Sequence, residues 1–435
     1  MAMTSARTTS VRDVTGTVLA GFMRRRSWPI VITVLSLATG VAYCLLWSPV
    51  VRHTSGWVIP WDIWGTYRSA HFIGWGDLGN VYGDDTGLVT FPGILVLLAP
   101  VAMLTGAFGM SESFPFNLAH PSAWLVLGPY EILISCAALF ACDALAQRLG
   151  VTWGRRGLLC LAEGVALWNI SVIWGHPEDA VAVALAVYAL VLALDARWSG
   201  TGWLFGAAIA TQPVVVLMLP VLLALAGKRR ALPLLVRASL PAVLLLAAPL
   251  AAEFHITAHS LVDQPNFPNV DHRTPWTSFA PSLGGSGEAV KVAAGPGRFV
   301  ALVLACVVGW WSRRWRDRPE LVVLAVAFTL ALRCFTESVM VSFYVWPVLA
   351  VGLVVVMRGS PWRWAVGLTA AVAVTVCSDF RLGEWAWWGS VTGGIVVVLV
   401  SGIPSRLRRP VPITPSAADV APVLDHPPVL VGSAQ

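Results

Sequence analysis

Residues 57–92 read WVIPWDIWGTYRSAHFIGWGDLGNVYGDDTGLVTFP, a polar stretch set between two apolar runs of membrane length. It holds one histidine, four tryptophans and four aspartates, namely Asp62, Asp77, Asp84 and Asp85. The apolar run before it, 29–47, follows three consecutive arginines. Because basic flanks stay on the cytoplasmic side of a membrane, we expect this acidic loop to face outward. Interfacial tryptophans would anchor the loop there, and its carboxylates could act on lipid-linked substrates.

The composition is that of a membrane protein. The chain has 435 residues, of which 57% are hydrophobic and only 12% are charged, with a mean hydropathy of +0.73. Soluble domains carry about 25% charged residues. Strand-like alternation is absent, so we predict an all-α, polytopic bundle of about 11–13 transmembrane helices rather than a barrel.

Apolar runs divide the chain into spans and connections. The predicted spans are 29–47, 92–108, 123–146, 157–174, 179–195, 201–211 with 213–227, 231–252, 298–312, 320–334, 338–357, 363–378 and 386–402. Residues 1–28 form a basic cytoplasmic N-terminus, and the Pro-, Ala- and Val-rich residues 404–435 a disordered cytoplasmic tail. Between them, 29–403 form one transmembrane domain of the plasma membrane, with a first outer loop at 48–91 and a long outer loop at 253–297.

The topology of 92–146 has two solutions. If 92–108 and 123–146 both cross fully, the basic turn at 148–156 lands outside, and every later connection violates the charge rule. Either the piece around 111–122 contains a short crossing, or 92–108 is re-entrant. Neither solution changes the orientation of the six later basic connections.

Charge and cysteine patterns exclude several classes of protein. The net charge of +6 is concentrated in predicted cytoplasmic connections, so it indicates topology and no nucleic-acid partner. The seven cysteines lie in or beside apolar segments without metal-ligand spacing, as small core residues do. The chain has no Walker loop, dinucleotide fingerprint, HExxH, GxSxG or CxxC motif, which argues against nucleotide-driven pumping and hydrolase chemistry.

Two acidic motifs of the first loop are candidates for chemistry. Asp62 follows Pro60-Trp61 near the outer interface, where a carboxylate could act as a general base toward a hydroxyl. The same position also suits the N-cap of a short interfacial helix. Asp84 and Asp85, in VYGDDTG, could hold a divalent cation that neutralises a phosphate, or simply belong to a turn.

The motif GHPED at 175–179 sits where two apolar segments meet. Ionisable residues are costly at that depth unless they are functional or cap a helix. Glu178 or Asp179 could therefore cap the following helix. His176, beside these two acids, could instead orient a substrate hydroxyl.

Basic and aromatic residues on the outer side could recognise a phosphorylated sugar. Arg333 and Glu337 have the spacing of an ion pair on one helix face, but a guanidinium also suits phosphate oxygens. Arg273 and Lys291, in the long loop, compete for that role. Trp276 could stack on a sugar ring or serve as an interfacial anchor.

At these residues the chain resembles the GT-C superfamily of membrane glycosyltransferases, and most of all glycosyltransferase family 87 of actinobacteria. The likeness rests on the early Asp62 and on Val81-Tyr82 followed by Phe91-Pro92-Gly93. It also rests on GHPEDA with the helix after it, and on GWLFGAAIATQPVVVLMLPVLLAL at 202–225. The chain departs from the family at Phe91-Pro92-Gly93, where Tyr-Pro-Pro is usual, and near Thr211-Gln212, where a lysine is usual.

The resemblance implies a polyprenyl-phosphate-mannose-dependent mannosyltransferase with an outward-facing cavity and a GT-C-type transmembrane domain. The donor would be a polyprenyl-phosphate sugar, mannose or else arabinofuranose, and the acceptor a glycolipid or cell-envelope polysaccharide within the membrane lipid. Asp62 would be the general base of an inverting transfer. Arg333, Arg273 or a cation near Asp84-Asp85 would stabilise the phosphate.

Other residues would line the sugar or lipid pocket: Tyr82, His176, Glu178, Asp179, Trp276 and Tyr344. Two alternatives remain open. One is a transporter or flippase for a lipid-linked sugar, and the other a catalytically inactive family member that acts as an assembly partner.

Overall fold

Helices make up almost all of the regular structure in this computed structural model, which describes residues 25–46, 62–83, 86, 88, 90–110, 122–266, 272–283, 290–292, 295–380 and 382–404. The first eight α-helices are α1 (Ser27–Leu46), α2 (Ile63–Trp75), α3 (Gly93–Ala107), α4 (Trp124–Ser135), α5 (Ala137–Arg148), α6 (Trp153–Trp168), α7 (Pro177–Leu194) and α8 (Trp198–Thr211). The others are α9 (Leu219–Ala226), α10 (Lys228–Ala252), α11 (Phe254–Val262), α12 (Pro296–Ser312), α13 (Pro319–Thr336), α14 (Trp346–Val356), α15 (Pro361–Ser378) and α16 (Glu384–Ser401). Tighter or wider helical turns occupy Asn169–Trp174, Pro213–Met218, Thr277–Phe279, Arg313–Trp315 and Ser342–Val345.

Within the described ranges, six helical segments are long and apolar enough to cross a membrane. They are Ser27–Leu46, Trp124–Arg148, Trp153–Trp174, Pro177–Leu194, Lys228–Ala252 and Pro319–Thr336. All six coincide with predicted spans to within a few residues. The all-α bundle is therefore confirmed, and the length and composition of these segments indicate a membrane protein.

Helix α14 lies at the centre of the bundle. Every one of its residues is buried, and it contacts α5, α6, α7, α13, α15 and α16. A helix that is apolar on all sides must be surrounded by other helices or by lipid. By contrast, α10 and α12 carry exposed residues such as Leu232, Val243, Phe299 and Val303, the pattern of helices at the lipid-facing edge of a bundle.

The basic connections meet at one end of the bundle. Asp143, in the second half of α5, is buried and accepts hydrogen bonds from Arg26 at 2.5 Å and from Arg156 at 2.7 Å. At the same end, Arg148 pairs with Asp195 at 2.6 Å. The connections before α6, α8, α10, α13 and α15 all start at this basic end, which we therefore predict to be cytoplasmic.

The structure bears on the two solutions for 92–146. Helix α3 has 15 residues and so rises about 22 Å, less than a hydrocarbon core of about 30 Å. This length favours the re-entrant solution. Most of 111–122 lies outside the described residues.

Two predicted segments have a different structure. The predicted long loop 253–297 starts with a helix, because α11 occupies Phe254–Val262. Its later part forms small antiparallel sheets from β1 (Pro265–Asn266), β2 (His272–Arg273), β3 (Ser282–Leu283), β4 (Val290–Val292) and β5 (Val339–Met340), in the orders β1-β4-β3 and β2-β5. Strand β5 and a 3₁₀ turn take up the first part of the predicted span 338–357, so α14 begins only at Trp346.

Candidate functional site

A cavity of about 670 Å³ lies at the end of the bundle opposite the basic connections. It is bounded by the starts of α2, α7 and α12, by the end of α13 and by the turns at Pro213–Met218 and Ser342–Val345. Its charged and amide-bearing lining residues are Asp62, His176, Glu178, Gln212, Gln264, Arg298, Arg333 and Glu337. These residues form two groups, one around His176 and one around Glu337.

Asp62 lies at the N-cap position of α2, as the capping alternative predicts, but its side chain makes no capping hydrogen bond. Its Oδ2 instead contacts His176 Nε2 at 2.8 Å. The other ring nitrogen of His176, Nδ1, contacts Glu178 Oε1 at 2.6 Å. The three side chains therefore form one hydrogen-bonded chain of carboxylate, imidazole and carboxylate.

The backbone around His176 explains its position. Asn169–Trp174 is a π-helical segment, a distortion found often at functional sites. Gly175 ends it with a positive φ of 72°, which glycine adopts without steric cost. Pro177 then starts α7, so His176 is held at the helix N-cap. Phe343 packs on the imidazole with 3.9 Å between ring centroids.

His176 is set up to carry a positive charge. Burial alone would lower the pKa of the imidazole, but the carboxylates of Glu178 and Asp62 outweigh burial and raise that pKa well above its ordinary value. We therefore describe His176 as an imidazolium that donates to both neighbours at neutral pH. The Nε2–H group then donates to Asp62 Oδ2 and orients that carboxylate.

Glu178 and Asp179 occupy the first turn of α7, and both are buried. The positive end of the helix dipole favours carboxylates at this position. Donor atoms of His176, Glu178 and Asp179 lie within 4.8 Å of one another, close enough to hold a metal ion. However, both nitrogens of His176 contact carboxylates, and an imidazolium offers no lone pair to a metal. The contacts as they stand favour the hydrogen-bonded chain.

The second group of lining residues consists of two arginines that share one acid. Glu337 Oε1 lies 3.3 Å from Arg298 Nε and 3.5 Å from Arg333 Nε. Arg298 also donates to Gln264 at 2.9 Å. The guanidinium of Arg333 lies 3.3 Å from the centroid of the Tyr344 ring. Two guanidinium groups therefore line the same part of the cavity, and guanidinium groups suit a phosphate.

The structure brings together five of the predicted site residues. Asp62, His176, Glu178, Arg333 and Tyr344 line the cavity. The predicted ion pair of Arg333 and Glu337 is also present. Asp179 is next to this group but does not line the cavity.

Three other candidates lie away from it. Tyr82 is buried, and its hydroxyl donates to the carbonyl of Thr90 at 2.9 Å. Arg273 is exposed on β2, and Trp276 is exposed with its indole N–H bonded to the carbonyl of Phe335. None of the three is among the described lining residues, so a direct substrate contact is not supported for them. Asp84 and Asp85 lie outside the described residues.

Sequence reasoning missed Arg298, Gln264 and Gln212. Arg298 is the first residue of the predicted apolar span 298–312, although a single arginine at the outer end of such a span is itself a signal. Gln212 stands where the family resemblance expects lysine, and it lines the cavity beside Thr90, whose hydroxyl is 3.5 Å away.

A comparison with protein-family models and with curated proteins finds no match to this chain.

Proposed function

We propose that this chain is an integral membrane glycosyltransferase, of GT-C type, that uses a polyprenyl-phosphate sugar as its donor. The observation that carries the proposal is the division of the cavity between the Asp62–His176–Glu178 chain and the Arg298–Glu337–Arg333 cluster. Transfer from a phosphate-linked sugar needs a base for the acceptor hydroxyl and a cationic site for the departing phosphate. Both kinds of group face the same volume.

In the proposed reaction, Asp62 accepts the proton of an acceptor hydroxyl. The hydroxyl oxygen forms a bond to the anomeric carbon as the bond from that carbon to the phosphate oxygen breaks, so the centre inverts. The phosphate leaves with the bonding electrons and is stabilised by Arg298 and Arg333. The Asp62 side chain is 44% exposed whereas that of His176 is 16% exposed, so the base can meet a substrate while its partner stays shielded.

Mannose is the first donor to test and arabinofuranose the second. The acceptor would be a glycolipid or a cell-envelope polysaccharide on the outer face. These assignments rest on the short motifs at 62, 81–93, 175–200 and 202–225, which resemble glycosyltransferase family 87.

The test uses purified protein in nanodiscs, radiolabelled polyprenyl-phosphate mannose or arabinose, and envelope glycolipid extract. Wild type, Asp62→Asn and the matched control Asp77→Asn are run together. Asp77 is outside the cavity and accepts a hydrogen bond from Asn80 at 2.8 Å. We expect label in a new lipid product with wild type and Asp77→Asn, and a loss of about 10²–10⁴-fold with Asp62→Asn. Equal product from folded Asp62→Asn would reject the base assignment.

A transporter of lipid-linked sugars is the second candidate, and two residues favour it. Glu131 and Glu163 are buried within segments that are long enough to span, and ionisable residues at such depth often mark transport pathways. Movement of labelled lipid across proteoliposomes, without any new glycosylated product, would support this candidate over the enzyme.

A further inference from the structure

A second cavity, of about 570 Å³, opens at the basic end of the bundle between α9, α10 and α12. Its charged lining residues are Lys228, Arg313 and Arg316, and no acidic residue lines it in the described structure. Backbone and apolar atoms of Pro220, Leu223 and other residues complete its walls. The cavity therefore combines a concave shape with an unbalanced positive charge.

Its arginines are held in place before any ligand arrives. Arg316 donates from Nε at 2.9 Å and from Nη2 at 2.5 Å to the carbonyl of Ala224, near the end of α9. Arg313 donates to the carbonyl of Trp310 at 3.0 Å and lies 5.3 Å from the centroid of that indole ring. Fixed cations lose little conformational entropy on binding an anion, so the site is preorganised.

Several features of α12 are those expected of a cavity at a membrane interface. Helix α12 begins beside the candidate functional site at Arg298, and its 17 residues rise about 25 Å before Arg313. Trp310 and Trp311 are exposed near its far end, as aromatic residues at a bilayer surface are. By the distribution of basic connections, that end is predicted to face the cytoplasmic leaflet, where anionic lipids attract lysine and arginine.

An apolar strip on α12 continues from the cavity toward the bilayer centre. Leu302, Val303, Cys306, Val307 and Trp310 border a space of about 410 Å³. Their spacing puts them on one face of the helix. Trp310 also lines the basic cavity, so the strip and the cavity are contiguous.

We propose that the basic cavity binds the headgroup of an anionic phospholipid, with its acyl chains along the α12 strip. Charge complementarity favours a phosphodiester in the cavity, and the adjoining strip provides an apolar surface of the kind acyl chains cover. This lipid would be a resident of the predicted cytoplasmic leaflet, so the inference does not depend on the proposed transferase activity.

The test is native mass spectrometry of the full-length protein in detergent with added dioleoyl phosphatidylglycerol or dioleoyl phosphatidylcholine. Lys228→Gln/Arg313→Gln removes two cavity cations and leaves the helix-capping Arg316 intact. Its matched control is Arg229→Gln/Arg314→Gln, which removes the same charge from the same two segments outside the cavity. A charge-preserving Lys228→Arg/Arg313→Lys exchange shows whether binding follows the positive charge. The thermal unfolding midpoint of each variant shows whether that variant is folded.

We expect phosphatidylglycerol adducts to exceed phosphatidylcholine adducts and to weaken roughly tenfold or more in Lys228→Gln/Arg313→Gln. The control and the charge-preserving exchange should bind as the wild type does. Equal losses in the two glutamine variants, or no headgroup preference, would overturn the site.

Two further arms test the acyl chains and the source of the phosphate. Dihexanoyl phosphatidylglycerol, with the same headgroup and short chains, should bind more weakly, and equal binding would reject the α12 strip. Inorganic phosphate should fail to displace the long-chain lipid. Displacement would identify a site for free anions instead of a lipid.

Discussion

Asp62 and His176 are 114 positions apart in the chain, yet a 2.8 Å contact joins Oδ2 of one to Nε2 of the other. The contact links the start of α2 to the start of α7. Because His176 also contacts Glu178, the imidazole lies between two carboxylates and is held as a cation. Asp62 therefore has one oxygen bound to a fixed donor while its side chain remains partly open to the cavity.

This arrangement makes stability depend on pH in a defined direction. The pKa of His176 is raised in the folded protein, so its stabilising effect is complete below the unfolded value of about 6.5. The effect is lost as the pH rises through the folded pKa. We expect the thermal unfolding midpoint of wild type to fall with rising pH above about 6.5 by more than that of His176→Gln.

The measurement is tryptophan-fluorescence melting in detergent across that pH range, with His255→Gln as the control. His255 is exposed on α11 and outside the cavity. If His176→Gln and His255→Gln keep the same pH dependence as wild type, His176 does not carry the charge assigned to it.

Arg333→Lys is expected to weaken binding of the phosphorylated donor by about tenfold or more, because lysine cannot form the two-pronged contact of a guanidinium. The substitution also removes the planar group that lies over Tyr344. Arg273→Lys is the matched control, since the sequence makes Arg273 a competing phosphate ligand but Arg273 is not among the residues that line the cavity. Equilibrium binding of a polyprenyl-phosphate sugar distinguishes the two. Equal losses in both variants, or none in Arg333→Lys, would remove Arg333 from the donor site.

The bundle could be predicted from the sequence because membrane-length apolar runs are read directly from composition. α1 and α7 lie where such runs occur. The errors fall where local polarity changes within an apolar run. The residues just before Trp346 are mostly apolar, but they form a strand and a tight turn that precede α14. The strand forms because β5 pairs with β2 of the distant long loop. That pairing is a tertiary contact without a local signal.

The members of the site were easier to predict than their arrangement. Asp62, His176 and Arg333 could be named because each is a charged or titratable residue beside an apolar run. That His176 would contact Asp62 depends on how the start of α2 is placed beside the start of α7, which periodicity does not specify. Tyr82 shows the reverse case, because its hydroxyl is satisfied by the nearby carbonyl of Thr90 and its ring is buried in the core.

Glu337 balances two arginines, and its removal should have opposite effects on stability and on anion binding. In Glu337→Gln, Arg298 and Arg333 lose a shared carboxylate, which we expect to lower the free energy of unfolding by about 2–3 kcal/mol. The two guanidinium groups then lack this carboxylate partner, so inorganic phosphate should raise the unfolding midpoint of the variant more than that of wild type.

Thermal melting with and without phosphate at constant ionic strength checks this prediction, and Glu320→Gln is its control. Glu320 pairs with Arg358 at 3.1 Å at the basic end of the bundle. A similar response to phosphate in both variants would mean that the Arg298–Arg333 wall is not an anion site.

Gly93 allows the start of α3 to touch the end of α8, next to the cavity residue Gln212. A Cβ added at Gly93 would lie 2.6 Å from the carbonyl carbon of Ala210 and 2.7 Å from the amide nitrogen of Thr211. Both atoms belong to backbone, which cannot move aside as the end of a flexible side chain can. We expect Gly93→Ala to lower the free energy of unfolding by about 1–3 kcal/mol and, by displacing Gln212, to reduce transfer as well.

Gly389→Ala is the matched control in helix α16, where an added Cβ meets nothing within 4 Å, and it should be neutral or stabilising by up to about 1 kcal/mol. Thermal unfolding and transfer assays on both variants make the comparison, and a Gly93→Ala protein as stable and active as Gly389→Ala would show that this contact does not position the cavity wall.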